Sequence, residues 1–173
     1  YMNLIADAMV PYLISSGIEF TRNTPDMTAA SSIQASNAGD YDAHVALHSN
    51  AAPPNLSGQL RGTDVYYYPR SDRSRRLAEI TAANLKALYP LPDQVRAVPT
   101  TSIGEGARTR APAILFGFAY HDNPEDAEWI KNNIDALGRN VVISLCEFFD
   151  IPCAATEHIR NATVEVESGK LNS

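Results

Sequence analysis

The chain has 173 residues and a formal net charge of -6, and 45% of its residues are hydrophobic and 20% charged. This length suits one domain with a sizeable core, and no apolar run approaches the roughly 20 residues that a membrane-spanning helix needs. The acidic charge argues against a nucleic-acid partner, although four arginines cluster between residues 70 and 76. We therefore expect a globular, monomeric protein without a membrane span.

The first forty residues predict two helices and a strand. Apolar residues recur every three or four positions between residues 1 and 16, which is typical of a helix with one buried face, and Gly17 then ends it. The predicted buried face comprises Leu4, Ile5, Ala8, Met9, Tyr12 and Leu13. Residues 18–22 alternate like a strand, and Thr28 can cap a second helix that runs to about Asn37.

Residues 42–51 carry two histidines in a short apolar run that ends in a polar, chain-turning segment. The run predicts a buried strand that brings His48 and Asn50 to the rim of a sheet. Four residues along a strand span roughly 13 Å, so His44 and His48 cannot bind the same metal ion. His48 is the better candidate ligand because it stands where the strand meets a loop, and we expect His44 to fill the start of the strand.

The segment after this strand predicts a loop and a second strand. Residues 51–62 are rich in Pro, Asn and Gly, and their length suits a loop that borders a binding cleft. Residues 63–68 favour a β-strand, and its alternation sends Tyr67 to the face opposite Tyr66 and Tyr68. We therefore interpret these tyrosines as packing residues rather than as a stacking platform.

The middle of the chain predicts a helix and an edge strand. Ser71 or Asp72 can cap the helix, which runs to about Leu88 before two prolines stop it. Residues 95–98 predict a short strand at the edge of the sheet.

The last third predicts a buried strand and two helices. Residues 113–120 are almost continuously apolar, as expected for a strand in a sheet that is covered on both faces. Asp122 or Asn123 can cap the next helix, and we expect His121 and Asn123 to be turn and cap residues rather than metal ligands. Residues 134–149 predict the final helix.

The two cysteines and the tail leave several interpretations open. Cys146 and Cys153 do not form a Cys-x-x-Cys pair and have no histidines at ligand spacing, so they do not indicate a zinc site. Their redox state, disulfide or free thiols, stays open. We expect residues 1–153 to form one domain and residues 154–173 to be a linker that opens a further module.

Three segments, taken in order, resemble the zinc-dependent N-acetylmuramoyl-L-alanine amidases of bacterial cell-wall turnover. They are the Thr21-Arg22 strand end after an Asn3-Leu4 helix, the Leu47-His48-Ser49-Asn50-Ala51 strand end followed by Gly62-Thr63-Asp64-Val65, and Pro112-Ala113-Ile114-Leu115 followed by His121 to Ala127. The resemblance spans about residues 1 to 150. The tail is similar to the start of a bacterial SH3-like wall-binding module.

The resemblance implies a fold and an activity. The fold would be a single α/β domain with a twisted, mostly parallel sheet flanked by helices on both faces. The activity would be hydrolysis of the amide between N-acetylmuramic acid and the L-alanine of the peptidoglycan stem peptide, in the cell wall outside the cell. In that family two histidines and a glutamate hold one zinc ion, which activates water, and a second glutamate acts as general base.

Carried over residue by residue, the resemblance assigns His48 as one zinc ligand. The family's other two ligands would precede Tyr1, so the resemblance also implies that the first strand is missing from this chain. Asn50 either fixes the loop or contacts the substrate.

The family's catalytic glutamate falls on Gly117, which has no group that can transfer a proton. Three explanations of Gly117 follow: the protein is a natural inactive variant, the glycine is an inactivating substitution, or another acid does the work of the glutamate. Glu105, in the loop before this strand, is the nearest alternative acid in sequence. Gly117 can also mark a close approach of backbone or ligand. The alternative function is a catalytically inactive peptidoglycan-binding protein. If the site has the remaining zinc ligands of the family, we expect Gly117→Glu to raise hydrolysis.

Overall fold

The computed structural model describes residues 1–24, 26–102 and 108–153 of the chain. The strands in these ranges are β1 His44–Asn50, β2 Thr63–Tyr67, β3 Val95–Pro99 and β4 Ala113–Tyr120. The α-helices are α1 Met2–Ser15, α2 Ala29–Ala38, α3 Asp72–Lys86, α4 Pro124–Asn132 and α5 Ile134–Phe149. The predictions for Glu105 and for residues 154–173 lie outside the described residues and stay predictions.

The four strands form one sheet in the order β1-β4-β2-β3. β1 pairs with β4 and β2 pairs with β3 in parallel, whereas β2 and β4 run antiparallel. The apolar strand β4 lies inside the sheet, as its continuous hydrophobicity predicts, and β3 lies at an edge. The predicted α/β class with a mostly parallel sheet is confirmed.

The helix starts follow the capping chemistry that the sequence predicts. Thr28 accepts a hydrogen bond from the first turn of α2, and Ser71, rather than Asp72, does the same for α3. At α4 the cap is Asn123, rather than Asp122, and Pro124 occupies the first turn. Each such cap contributes about 1 kcal/mol to helix stability.

The core joins one face of the sheet to helices α1, α3 and α5. Phe116 and Phe118 of β4 are fully buried, and their rings stack with centroids 4.5 Å apart. Helix α5 approaches α1 at Gly138, where a Cβ would lie 2.8 Å from Ala8 Cβ and 3.0 Å from the Ile5 carbonyl oxygen. A side chain at Gly138 would therefore push the two helices apart.

Several predicted features of the first elements are wrong in detail. Residues 18–22 do not form a strand, because alternation supplies no hydrogen bonds by itself and this segment has no ladder partner among the described residues. Ile18 N–H instead bonds to the Leu13 carbonyl in the cap that follows α1. Leu4 is 49% exposed and does not belong to the buried face of α1. No helix in the described ranges is long and apolar enough to span a membrane.

Candidate functional site

One residue from each strand contributes to a row that crosses the whole sheet. His48 of β1 is the register partner of Gly117 in β4, Gly117 is the partner of Asp64 in β2, and Asp64 is the partner of Arg96 in β3. Register partners project from the same face, and neighbouring strands lie about 4.8 Å apart. His48 and Asp64 therefore flank Gly117 on one face. We call these four residues the polar row.

The polar row lies on the face opposite the hydrophobic core. The neighbours of its members along the strands, Val65 and Phe116, are fully buried in the core, so Asp64 and Gly117 face the other way. The same alternation places Tyr67 in the core while Tyr66 is half-buried on the face of the polar row. The prediction that Tyr67 faces away from Tyr66 is confirmed.

His48 is exposed near the end of β1, and the strand continues two residues beyond it to Asn50. The pairing of β1 with β4 shifts register between His48 and Asn50, so the end of β1 departs from a regular ladder. His44 is half-buried at the start of the same strand. In the described parts of the chain, no three His, Cys, Asp or Glu side chains are grouped to hold a metal ion. The described residues thus supply one candidate zinc ligand and do not by themselves complete a zinc site.

The side chain of Asn50 fills the space above Gly117. A Cβ on Gly117 would lie 2.7 Å from Asn50 Cγ and 2.8 Å from Asn50 Nδ2, and closer still to Oδ1. Asn50 Nδ2 donates hydrogen bonds to the Gly117 carbonyl oxygen and to Asp64 Oδ2, each over 3.2 Å. The expected position of the catalytic glutamate is therefore occupied by a neighbouring amide, which supports the reading of Gly117 as a position of close approach.

Asp64 is a buried carboxylate, 3% exposed, in the middle of the polar row. Its Oδ2 accepts hydrogen bonds from Asn50 Nδ2 and from the Tyr66 hydroxyl, and its Oδ1 lies 3.3 Å from Arg96 Nη2. The contact with Arg96 is an ion pair without hydrogen-bond geometry, because Oδ1 has no hydrogen-bond partner among the described residues. Burial, followed by the charge of Asp64, raises the pKa of Tyr66 to about 12, so Tyr66 stays protonated and can donate.

Sequence reasoning did not single out Asp64 or Arg96 as site residues. The available signal was a carboxylate inside a strongly β-favouring strand, a position where a charged side chain is rarely buried without a partner. Arg96 carries a matching signal, since it is the charged residue of the edge strand β3. Only the strand order reveals that both residues share a row with His48.

Hydrogen bonds join the loop after β1 to the connection between β4 and α4. Asp122 accepts hydrogen bonds from Gly58 N–H over 2.9 Å and from Ala52 N–H over 3.1 Å. These backbone donors, Gly58 first, lower the pKa of Asp122. Asn123 Nδ2 adds a hydrogen bond to the Gly58 carbonyl oxygen over 3.0 Å. The loop that follows His48 and Asn50 thus has a defined path beside the site.

The buried side chain of Asp126 forms hydrogen bonds with the second half of the same loop. This fully buried carboxylate accepts hydrogen bonds from Arg61 Nε over 2.8 Å, the Tyr89 hydroxyl over 2.6 Å, Tyr120 N–H over 2.9 Å and Gly62 N–H over 3.2 Å. Burial, together with the hydrogen bond to Asp126, raises the pKa of Tyr89. The entry to β2 and the end of β4 are therefore joined through one side chain.

The remaining predicted positions have structural partners. His121 Nδ1 lies 2.8 Å from Ser49 Oγ and so joins the ends of β1 and β4 as a turn residue. Cys146 is buried and Cys153 is half-buried, and both are free thiols. Neither cysteine contributes to the polar row.

Comparisons with known proteins agree with this architecture. Residues 2–145 match the model of a family described as N-acetylmuramoyl-L-alanine amidase. No curated protein matches the sequence significantly.

Several solved structures share the fold. An N-acetylmuramoyl-L-alanine amidase from Clostridium difficile 630 gives a TM-score of 0.76 at 18% identity, covering 86% of this chain and 82% of that chain. The catalytic domain of CwlV, an amidase from Bacillus (Paenibacillus) polymyxa, gives 0.74 at 17% identity, covering 87% and 84%. An N-acetylmuramyl-L-alanine amidase from Mycobacterium smegmatis gives 0.71 at 17% identity, covering 84% and 73%. These likenesses concern the fold, and the family match covers most of the sequence. The chain therefore belongs to the N-acetylmuramoyl-L-alanine amidase family.

Proposed function

We propose that this domain acts on peptidoglycan in the cell wall, at the amide that joins N-acetylmuramic acid to the L-alanine of the stem peptide. The observation that carries the proposal is the position of His48. It is exposed beside Gly117, and the family resemblance assigns a zinc ligand to the first of these positions and the general base to the second. The polar row also offers an exposed guanidinium, Arg96, on a strand edge. A peptide with amide groups and carboxylates suits such a surface.

We propose His48 as a ligand of zinc, the metal that the family resemblance implies. When bound, zinc acts as a Lewis acid toward the amide carbonyl and as a source of nucleophilic water. Because the described residues supply only this one candidate ligand, no step of the reaction is assigned to zinc. The contribution of His48 can be tested separately from activity.

Zinc titration followed by the imidazole resonances of the histidines tests this assignment. We expect zinc to perturb the His48 resonances, and we expect His48→Ala to weaken zinc binding. His44→Ala is the matched control because it removes a histidine from the same strand. Equal zinc affinity in the two variants would contradict the assignment.

A second candidate function is binding of peptidoglycan without hydrolysis. The observation that favours it is the arrangement at position 117, where a glycine replaces the expected base and the Asn50 amide fills its place. General acid–base catalysis typically contributes ~10² to 10⁴-fold to rate, so its loss would leave little hydrolysis. The face of the polar row still offers polar groups to the substrate, since His48, Asn50 and Arg96 do not depend on a side chain at Gly117.

Sedimentation with purified cell walls, together with an assay for released stem peptides, separates the two functions. Binding with release of peptides supports the hydrolase. Binding without release supports the binding protein. Absence of both binding and release would contradict both candidates.

A further inference from the structure

The side-chain amide of Asn50 has a fixed orientation. Both partners of its Nδ2 group, the Gly117 carbonyl oxygen and the Asp64 carboxylate, are hydrogen-bond acceptors that cannot donate in their usual state. A flipped amide would place its oxygen against two acceptors, which would be repulsive. The hydrogen-bond network therefore assigns the nitrogen to the buried side and the oxygen to the space above Gly117.

The Asn50 oxygen is left without a hydrogen-bond donor in the described part of the chain. It lies where the side chain of residue 117 would begin, on the face of the polar row and beside His48. Because Asn50 is only half-buried, a ligand on the face of the polar row can reach this oxygen. The chemical group that complements a free amide oxygen is an N–H donor.

We propose that Asp64 is a positioning residue that holds Asn50 with its amide oxygen toward the face of the polar row, so that the site selects a ligand presenting an amide N–H over the corresponding ester. Asp64 acts through Asn50 and does not itself contact the ligand, since it is buried under Asn50, Tyr66 and Arg96. The inference rests on the proposed function for the identity of the ligand, a muramoyl peptide.

The physical reason for selection is the difference between a hydrogen bond and a repulsive contact. A secondary amide donates its N–H to the Asn50 oxygen, whereas an ester places an oxygen lone pair at the same point. An unmatched polar group in a site costs more than an ordinary hydrogen bond contributes. We expect the amide ligand to bind at least about tenfold more tightly than its ester analogue.

The carboxylate of Asp64 is one of the two acceptors that fix the Asn50 amide, and the Gly117 carbonyl oxygen is the other. In Asp64→Asn the new amide can donate to the Asn50 oxygen and competes with the remaining bond to the Gly117 carbonyl, so the orientation of Asn50 is less strictly fixed. The variant has nearly the same shape as the parent side chain. Tyr66→Phe is the matched control, because it removes one hydrogen bond to Asp64 and leaves the carboxylate that orients Asn50.

The experiment measures affinity for N-acetylmuramoyl-L-alanyl peptide and for its ester analogue by isothermal titration calorimetry, with KM compared where a ligand is hydrolysed. The parent protein and Tyr66→Phe should prefer the amide about tenfold. In Asp64→Asn the preference should fall, because only the Gly117 carbonyl oxygen still orients Asn50. Asn50→Ala, which removes the oxygen itself, should also lose the preference and covers the case in which Asp64→Asn fails to fold.

Two results would overturn the inference alone: equal affinity of the parent for both ligands, or an undiminished preference in a folded Asp64→Asn or in Asn50→Ala. Failure of the parent to bind either ligand would overturn the proposed function and, with it, the inference.

Discussion

Asn50 and Gly117 share one space in the site: the Asn50 amide lies where a side chain at position 117 would start, and its nitrogen donates to the Gly117 carbonyl oxygen over 3.2 Å. A change at either residue therefore affects the other. This coupling alters the simple expectation that restoring a glutamate at position 117 is enough to restore hydrolysis.

Gly117→Glu alone should be destabilised and should gain little hydrolysis, because the new side chain must displace Asn50 from its bonds with Gly117 and Asp64. Overpacking of this kind costs about 1–3 kcal/mol. The double variant Gly117→Glu with Asn50→Ala has room for the carboxylate and should recover stability and release more stem peptide than either single variant. Urea unfolding and a peptide-release assay measure both effects. A single Gly117→Glu variant as stable as the parent would show that Asn50 moves freely.

Asp126→Ala should be among the most damaging single changes in this domain. The side chain is fully buried and accepts four hydrogen bonds, so its removal leaves Arg61 Nε and three other donors without their partner. Breaking a buried pair of this kind costs about 3–5 kcal/mol. Glu125→Gln is the matched control, because Glu125 also binds Arg61 but is 77% exposed, and surface pairs contribute less than about 1 kcal/mol. Similar unfolding free energies for the two variants would contradict this account of the loop.

Asp122 should make the stability of the domain depend on acid pH. Its pKa is lowered in the folded state by the hydrogen bonds from Gly58 N–H and Ala52 N–H, so the folded state favours the charged form. This contribution is fully present above the unfolded pKa of about 3.9 and is lost as pH falls through the lower, folded value. Asp122→Asn should therefore be less stable than the parent at neutral pH and should lose less stability on acidification.

Urea unfolding at several values between about pH 5 and about pH 2 measures this difference. An Asp122→Asn variant with the same pH slope as the parent would assign the acid sensitivity to other carboxylates.

Local chemistry made much of the fold predictable. The apolar run of residues 113–120 predicts a buried strand, and Thr28 and Asn123 are caps whose side-chain oxygens accept hydrogen bonds from backbone N–H groups two or three residues ahead. The position of His48 at a strand end also follows from the change in polarity along residues 42–51.

The centre of the site could not be predicted in the same way, because it depends on pairing between distant strands. Asp64 meets Gly117 only because β2 runs antiparallel to β4, and no local pattern encodes that choice. The register shift at the end of β1, which accompanies the approach of Asn50 to Gly117, is likewise a property of the paired strands. Residues 18–22 show the converse, since a strand-like pattern forms no strand when no neighbour pairs with it.

The most direct test of the account is the appearance of new L-alanine N-termini when purified cell walls are incubated with the protein. The assignment of His48 to the site of a muramoyl–L-alanine amidase predicts that the parent and His44→Ala release such peptides and that His48→Ala does not. Release at an undiminished rate by His48→Ala, or the absence of new N-termini with the parent, would contradict it.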